Sequence, residues 1–188
     1  DTYTLNFSLN KVYAALTAGL NKIWVDAIDS GGSRTTDFFY VTYEPILIDG
    51  DLDDWQYDEL CDVRNGDSFY ITWDDLNLYF GYKGAHGAMN NADLFIYIDT
   101  GYGGSTVSDN QNGTHNLPFS ASLIIIADNG LLTVKKYSGN WNNPIVCDSS
   151  YSNNNVDKVV EMRIGWSSIG GKPDTFSAIA FNQAEVSS

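Results

Sequence analysis

Two groups of side chains in this 188-residue chain have the types and spacing to do chemistry. The first is acidic. Asp49, Asp51, Asp53 and Asp54 fall within six residues, and Asp99, Asp109 and Asn110 flank a glycine-rich stretch. Oxygen ligands at that density suit a hard cation such as Ca²⁺, with backbone carbonyls completing the shell. The spacing is not that of an EF-hand loop, and the competing reading is a turn and a helix cap with solvated acids. The second group is aromatic. Trp141 sits within Ser138-Gly139-Asn140-Trp141-Asn142-Asn143, and Tyr102, Tyr137, Asn140, Asn142 and Asn143 can accompany it. A pyranose stacks its C–H face on a ring and needs planar polar partners for its hydroxyls, so this group is a candidate carbohydrate site. The competing reading is a tryptophan that anchors its own loop.

Catalytic patterns are missing from the sequence. It contains no Gly-x-Ser-x-Gly elbow, no His-Glu-x-x-His and no phosphate-cradling glycine loop, and its two histidines, His86 and His115, lie in loop-like contexts. No pair of acids stands out as a glycosidase couple. The expectation is a protein that binds or builds and is not an enzyme. Ten Lys and Arg against 24 Asp and Glu give a net charge of -14, which repels a phosphate backbone and excludes nucleic acid as a partner. No run approaches the roughly 20 apolar residues of a membrane-spanning helix.

The elements that must position these groups read as strands. Alternating apolar segments are predicted at 3–9, 21–29, 36–43, 46–48, 60–64, 68–73, 77–83, 93–99, 120–127, 131–137, 156–164 and 176–181, separated by Gly, Asn and Asp clusters. Helical character is limited to a turn after Asp53 and another at 167–169, and 101–118 reads as a long loop. Within 21–29, Trp24 points away from the face of Ile23 and Val25, toward a neighbouring domain or subunit. Glu44-Pro45 is a natural hinge because proline stops strand pairing. The expected fold is all-β: a partial immunoglobulin-like sandwich over 1–44, then an antiparallel, jelly-roll-like β-sandwich over 45–188.

The chain begins at Asp1 without an initiator Met, so it reads as a processed product or an excised piece. Asn6 and Asn112 fit the glycosylation sequon. Cys61 and Cys147 are too far apart for a metal knuckle or redox pair; one disulfide is expected, with two separate buried thiols as the alternative. These features predict an extracellular or cell-surface location.

Leu16, Gly19, Asn21, Ile23, Val25, Ala27, Asp29 and Gly31, closing with Phe39, Val41 and Tyr43, resemble the last part of a bacterial immunoglobulin-like domain. Such a sandwich needs about 100 residues and seven strands, so roughly half of it is missing and an edge is left open. In the second part, Ile48-Asp49-Gly50-Asp51-Leu52-Asp53-Asp54-Trp55, Trp73-Asp74-Asp75-Leu76-Asn77-Leu78-Tyr79, Ile98-Asp99-Thr100 and Val160-Glu161-Met162-Arg163-Ile164 occur in the order seen in family 9 carbohydrate-binding modules and the related sandwich modules of secreted glycosidases and surface-layer proteins. That resemblance implies structural calcium, core positions for Trp55, Trp73 and Trp166, and a non-catalytic module that binds a glycan. The rival expectation is a structural subunit of a surface layer, adhesin or filament, in which the open half-domain takes a strand from another copy to build a homopolymer.

Overall fold

A computed structural model describes residues 19–28, 30–43, 45–64, 66–84, 92–109, 114–128 and 130–184. The expected strand at 3–9, His86, Asn110 and both sequon residues, Asn6 and Asn112, lie outside the described residues. The chain divides into two compact units, Asp1–Ile46 and Leu47–Ser188, two residues beyond the expected boundary at Glu44.

In the first unit, β1 (Gly19–Ile28) and β2 (Arg34–Tyr43) form an antiparallel hairpin with Lys22 opposite Tyr40, Trp24 opposite Phe38 and Asp26 opposite Thr36. Because side chains alternate across a strand, Ile23, Val25, Phe39 and Val41 share the half-buried face. Trp24, Phe38 and Tyr40 share the exposed one.

The second unit is an all-β, antiparallel sandwich. Its strands in chain order are β3 (Leu60–Arg64), β4 (Asp67–Trp73), β5 (Asn77–Lys83), β6 (Ala92–Asp99), β7 (Ser105–Val107), β8 (Asn116–Ala121), β9 (Leu123–Asp128), β10 (Leu131–Lys136), β11 (Pro144–Ile145), β12 (Ser149–Asn154), β13 (Val159–Gly165) and β14 (Ser177–Ala184). One sheet runs β12-β13-β5-β4-β3 and the other β11-β10-β9-β6-β14. Their facing side chains, among them Leu78, Phe80, Ile96, Ile98, Ile125, Met162 and Ile164, make the main core. Each such fully buried side chain contributes about 1.5–3 kcal/mol relative to an exposed one.

Both sheets are also covered on their outer faces, which explains why their central strands are nearly continuously apolar. Phe95, Tyr97, Ile124 and Ile126 turn away from the main core and pack with Leu117 and Trp141 in a second cluster, beside the small β7–β8 ladder. On the other sheet Trp55 lies against Tyr70, with ring centroids 5.8 Å apart. Gly81 permits this approach, since a Cβ there would lie 3.0 Å from the Leu52 side chain and 3.2 Å from the Trp55 ring.

Several expected elements differ from those observed. Residues 46–48 form no strand and join no ladder among the described residues. The expected strand at 120–127 is two strands, broken at Ser122, whose hydroxyl lies 2.9 Å from Thr100 Oγ1. The expected long loop at 101–118 holds β7 and the start of β8. β12, a run of Ser, Tyr and Asn, carries too little apolar alternation to read as a strand; β13 supplies its ladder. The two turns of 3-10 helix, Tyr57–Glu59 and Trp166–Ile169, fall close to the predicted positions.

Candidate functional site

The acidic run Asp49 to Asp54 is used largely for wiring. Gly50, at φ +94°, turns the chain so that its own N–H and that of Asp49 donate to Glu161 Oε2, at 2.6 and 3.0 Å. The Trp55 indole N–H donates to Glu161 Oε1 at 2.8 Å. Glu161 is fully buried, and burial pushes its carboxyl above the usual range despite these three donors. Asp49 Oδ1 accepts the N–H of Asp51 and Asp54 Oδ2 accepts that of Leu47. Burial also raises the Asp54 carboxyl, whose Oδ1 is buried without a hydrogen-bond partner. Asp51 and Asp53 side chains project from exposed positions.

Of the second set of expected calcium ligands, Asp99 and Asp109 are among the described residues. Asp99 Oδ1 caps a turn by accepting the N–H of Gly101, and buried Asp109 makes a 2.6 Å ion pair with Lys135. An ammonium thus holds the place beside Asp109 where a cation was expected. Among the described residues no group of three or more His, Cys, Asp or Glu side chains gathers as a metal cage.

Trp141 is buried, at 7% exposure. Its indole N–H donates to the Val107 carbonyl at 3.1 Å, and its ring meets Tyr97 and Tyr137 edge-on at 5.7 and 5.1 Å. It anchors its loop onto the sandwich and is no stacking platform. Asn140 caps the loop through the N–H of Asn142, Asn143 accepts the N–H of Lys136 through its carbonyl, and Tyr102 is exposed. The expected sugar site is therefore corrected. The expected disulfide is corrected too: Cys61 and Cys147 are free thiols, both raised by burial. Cys61 lies on edge strand β3 and Cys147 just before the opposite edge strand β12. Four strand spacings of about 4.8 Å separate those edges, far beyond disulfide reach.

Trp55 and Trp166 are buried as expected, but Trp73 is half exposed, at 50%. The sheet beside it explains why. β3 pairs with β4 only from Arg64 opposite Asp67 to Leu60 opposite Tyr70, with an irregularity at Cys61. Beyond Tyr70 the chain leaves β3 for the 3-10 turn at 57–59, and the end of β4 loses its neighbour. Trp73 thus turns inward at a place where the sheet stops covering it. Phe176 holds its ring edge-on at 5.1 Å and itself rests on Trp166 at 5.8 Å.

This opening leads into a trough of about 820 Å³ between the β3–β4 side of one sheet and β14 of the other. Phe69, Ile71, Trp73 and Phe176 give it apolar walls, and Asp62, Arg64, Lys172 and Asp174 stand around it. The mouth is held firmly. Trp166 donates through its indole to the Asp74 carbonyl at 3.0 Å, Asp74 caps the following turn through the N–H groups of Leu76 and Asn77, and Lys172 pairs with Asp75 at 2.6 Å. Rigid aromatic faces beside hydrogen-bonding groups can hold a ligand that is apolar on its faces and polar at its edges. Trp73 is thus not the core residue that the resemblance implies, and its exposure follows from the end of the β3 pairing, which alternation within β4 does not reveal.

The first unit carries a separate aromatic surface. Trp24 and Phe38 lie 5.1 Å apart, Phe38 and Tyr40 5.7 Å, and the Lys22 ammonium sits 4.1 Å from the Trp24 ring centre and 3.7 Å from that of Phe38. The expected outward orientation of Trp24 matches this exposed face. Comparison with protein-family models and with curated proteins finds no match to the chain.

Proposed function

We propose that this chain is a non-catalytic module of a larger secreted or cell-surface protein that binds carbohydrate in the trough between β4 and β14. The observation that carries this reading is Trp73: a half-exposed indole, fixed edge-on by Phe176, at the mouth of a large cavity with charged side chains around it. A sugar ring can stack on the indole while Asp62, Arg64, Lys172 and Asp174 reach its hydroxyls. The resemblance to family 9 carbohydrate-binding modules supports the ligand class, although the residues used differ from those expected around Trp141.

Affinity electrophoresis and calorimetry against soluble glucans, mannans, xylans and galactans test it. Trp73→Ala should weaken retention about tenfold or more, the equivalent of about 1.4 kcal/mol, with a melting temperature within a few degrees of the parent. Retention of none of these polysaccharides, or equal retention by the variant, refutes the proposal.

The second reading is a structural subunit assembled by strand complementation. It is favoured by the exposed Trp24, Phe38 and Tyr40 face on a sheet that has two strands among the described residues. Solution mass that rises with concentration, in a chain without sugar affinity, would select it.

A further inference from the structure

The trough continues past its widest part, and the reason lies in two alanines. On β14, Ala178 and Ala180 face the main core while Ile179 and Phe181 turn to the second cluster. In the ladder they stand beside Ile98 and Ile96 of β6. Where the neighbouring strand carries isoleucine, the edge strand carries a methyl group, so the space between the layers is not filled. A second hollow of about 240 Å³ runs on from the first toward Tyr82 and Asn182, and the two share Asp62, Arg64, Phe69, Ala180 and Phe181. The far end is polar: the Asn182 amide donates to Tyr82 Oη at 2.8 Å and to Asp67 Oδ2 at 3.0 Å.

We infer that the ligand is an internal stretch of a linear, uncharged polysaccharide lying along β14, with Ala178 and Ala180 setting the depth of its bed. This rests on the carbohydrate reading above and deepens it. A pocket for a chain end is a single closed hollow, whereas here two hollows adjoin along β14 and share five lining residues, so that their walls run from Phe176 to Asn182, a span of about 20 Å at the usual strand rise. The charge around it selects against ions. Asp62, Asp67 and Asp174 stand against Arg64 and Lys172, so the walls offer donors and acceptors for hydroxyls with only a small acidic excess, and that excess and the chain's overall -14 repel an anionic polymer.

The test uses the full chain and oligosaccharides cut from whichever neutral polysaccharide it retains, from disaccharide to hexasaccharide. Affinity should climb at least tenfold across the series and stay unchanged when the reducing end is reduced with borohydride. Ala178→Leu and Ala180→Leu fill the bed and should lower hexasaccharide affinity at least tenfold without lowering the melting temperature. Arg64→Ala, at an exposed side chain where the hollows meet, should weaken the hexasaccharide several-fold and guards against a leucine variant that misfolds. Affinity that saturates at the disaccharide, loss of binding on end reduction, preference for a charged polysaccharide, or leucine variants that bind normally would each overturn the inference while leaving carbohydrate binding standing. Concentration-dependent mass abolished by Ala180→Leu would assign the channel to a strand of a second copy and overturn it too. Retention of no polysaccharide would remove the underlying reading itself.

Discussion

Replacing Glu161 by Gln keeps the shape of the side chain and removes an acceptor from a place where three donors meet. The Trp55 indole reaches Oε1 at 2.8 Å, and the N–H groups of Gly50 and Asp49 reach Oε2 at 2.6 and 3.0 Å. A glutamine must turn its amide nitrogen toward one of these sides. The less costly choice keeps the carbonyl on the two backbone donors and sets the NH₂ against the indole, leaving a buried donor unsatisfied at about 1–3 kcal/mol. Burial opposes this loss, because it raises the Glu161 carboxyl above its ordinary value of 4.5 and so disfavours the ionised form that glutamine cannot adopt. The raised group's contribution to wild-type stability is complete below pH 4.5 and is lost as pH rises through the higher folded value. E161Q has no such dependence, so its deficit is greatest in mild acid and shrinks toward neutrality. At pH 5 we expect about 2 kcal/mol, or roughly 4–8 °C in Tm for a chain of this size; at pH 7.5 the gap should be smaller. Thermal unfolding followed by circular dichroism from pH 4.5 to 7.5 measures the difference, in which all other titrations cancel. A gap that widens with rising pH would refute the ranking of burial over charge-assisted hydrogen bonding. Glu161→Ala strands all three donors, a loss of about 5 kcal/mol or more, comparable with the whole stability of a domain, and should prevent folded protein from accumulating.

Three further outcomes follow from the packing. Trp141→Ala should cost about 3–5 kcal/mol in urea unfolding, because it empties a buried site and frees the Val107 carbonyl, while glycan retention by the remaining folded protein stays at the parent level. Gly81→Ala should cost about 1–3 kcal/mol by overpacking, and Leu52→Ala in the same chain should recover part of that loss, since the Leu52 side chain is the nearest atom to the new methyl at 3.0 Å. Thiol titration should find two free cysteines per chain, with identical gel mobility in the presence and absence of reductant; fewer than one thiol would contradict the sheet order that sets Cys61 and Cys147 on opposite edges.

The fold was legible where alternation and covering agree. Phe69, Ile71 and Trp73 share a face by period, as do Leu78, Phe80 and Tyr82, and the two sets lie side by side on the inner face of one sheet. β12 was not legible, because Ser149–Asn154 is polar and its ladder to β13 comes from tertiary pairing. The site fared worse for a related reason. Period assigns a side chain to a face, but exposure depends on what lies above that face, which is set by segments distant in sequence. Trp141, in a run of Ser, Gly and Asn, reads equally as a stacking ring or a loop anchor, and the β7–β8 segment decides for the anchor by supplying the Val107 carbonyl to its indole, with the Tyr97 ring edge-on beside it. Trp73, in strong apolar alternation, read as core, yet β3 stops pairing at Tyr70 and leaves it half open.

Ala178 and Ala180 carry the same lesson at the level of volume. In a pattern of apolar and polar letters they count as inward positions like Ile96 and Ile98 beside them, and a fold reading loses nothing by treating them alike. Their missing methylenes decide whether the flank of the sandwich is sealed or channelled. An edge strand filled with leucine at those two places would gain buried area at about 25 cal/mol per Å², so the space left there is stability forgone. Such a concession is what a binding surface requires and a purely structural flank does not, which makes Ala178→Leu and Ala180→Leu the substitutions that separate the two: a gain in melting temperature with loss of ligand identifies a channel kept open for use, and a gain with no loss identifies a packing defect.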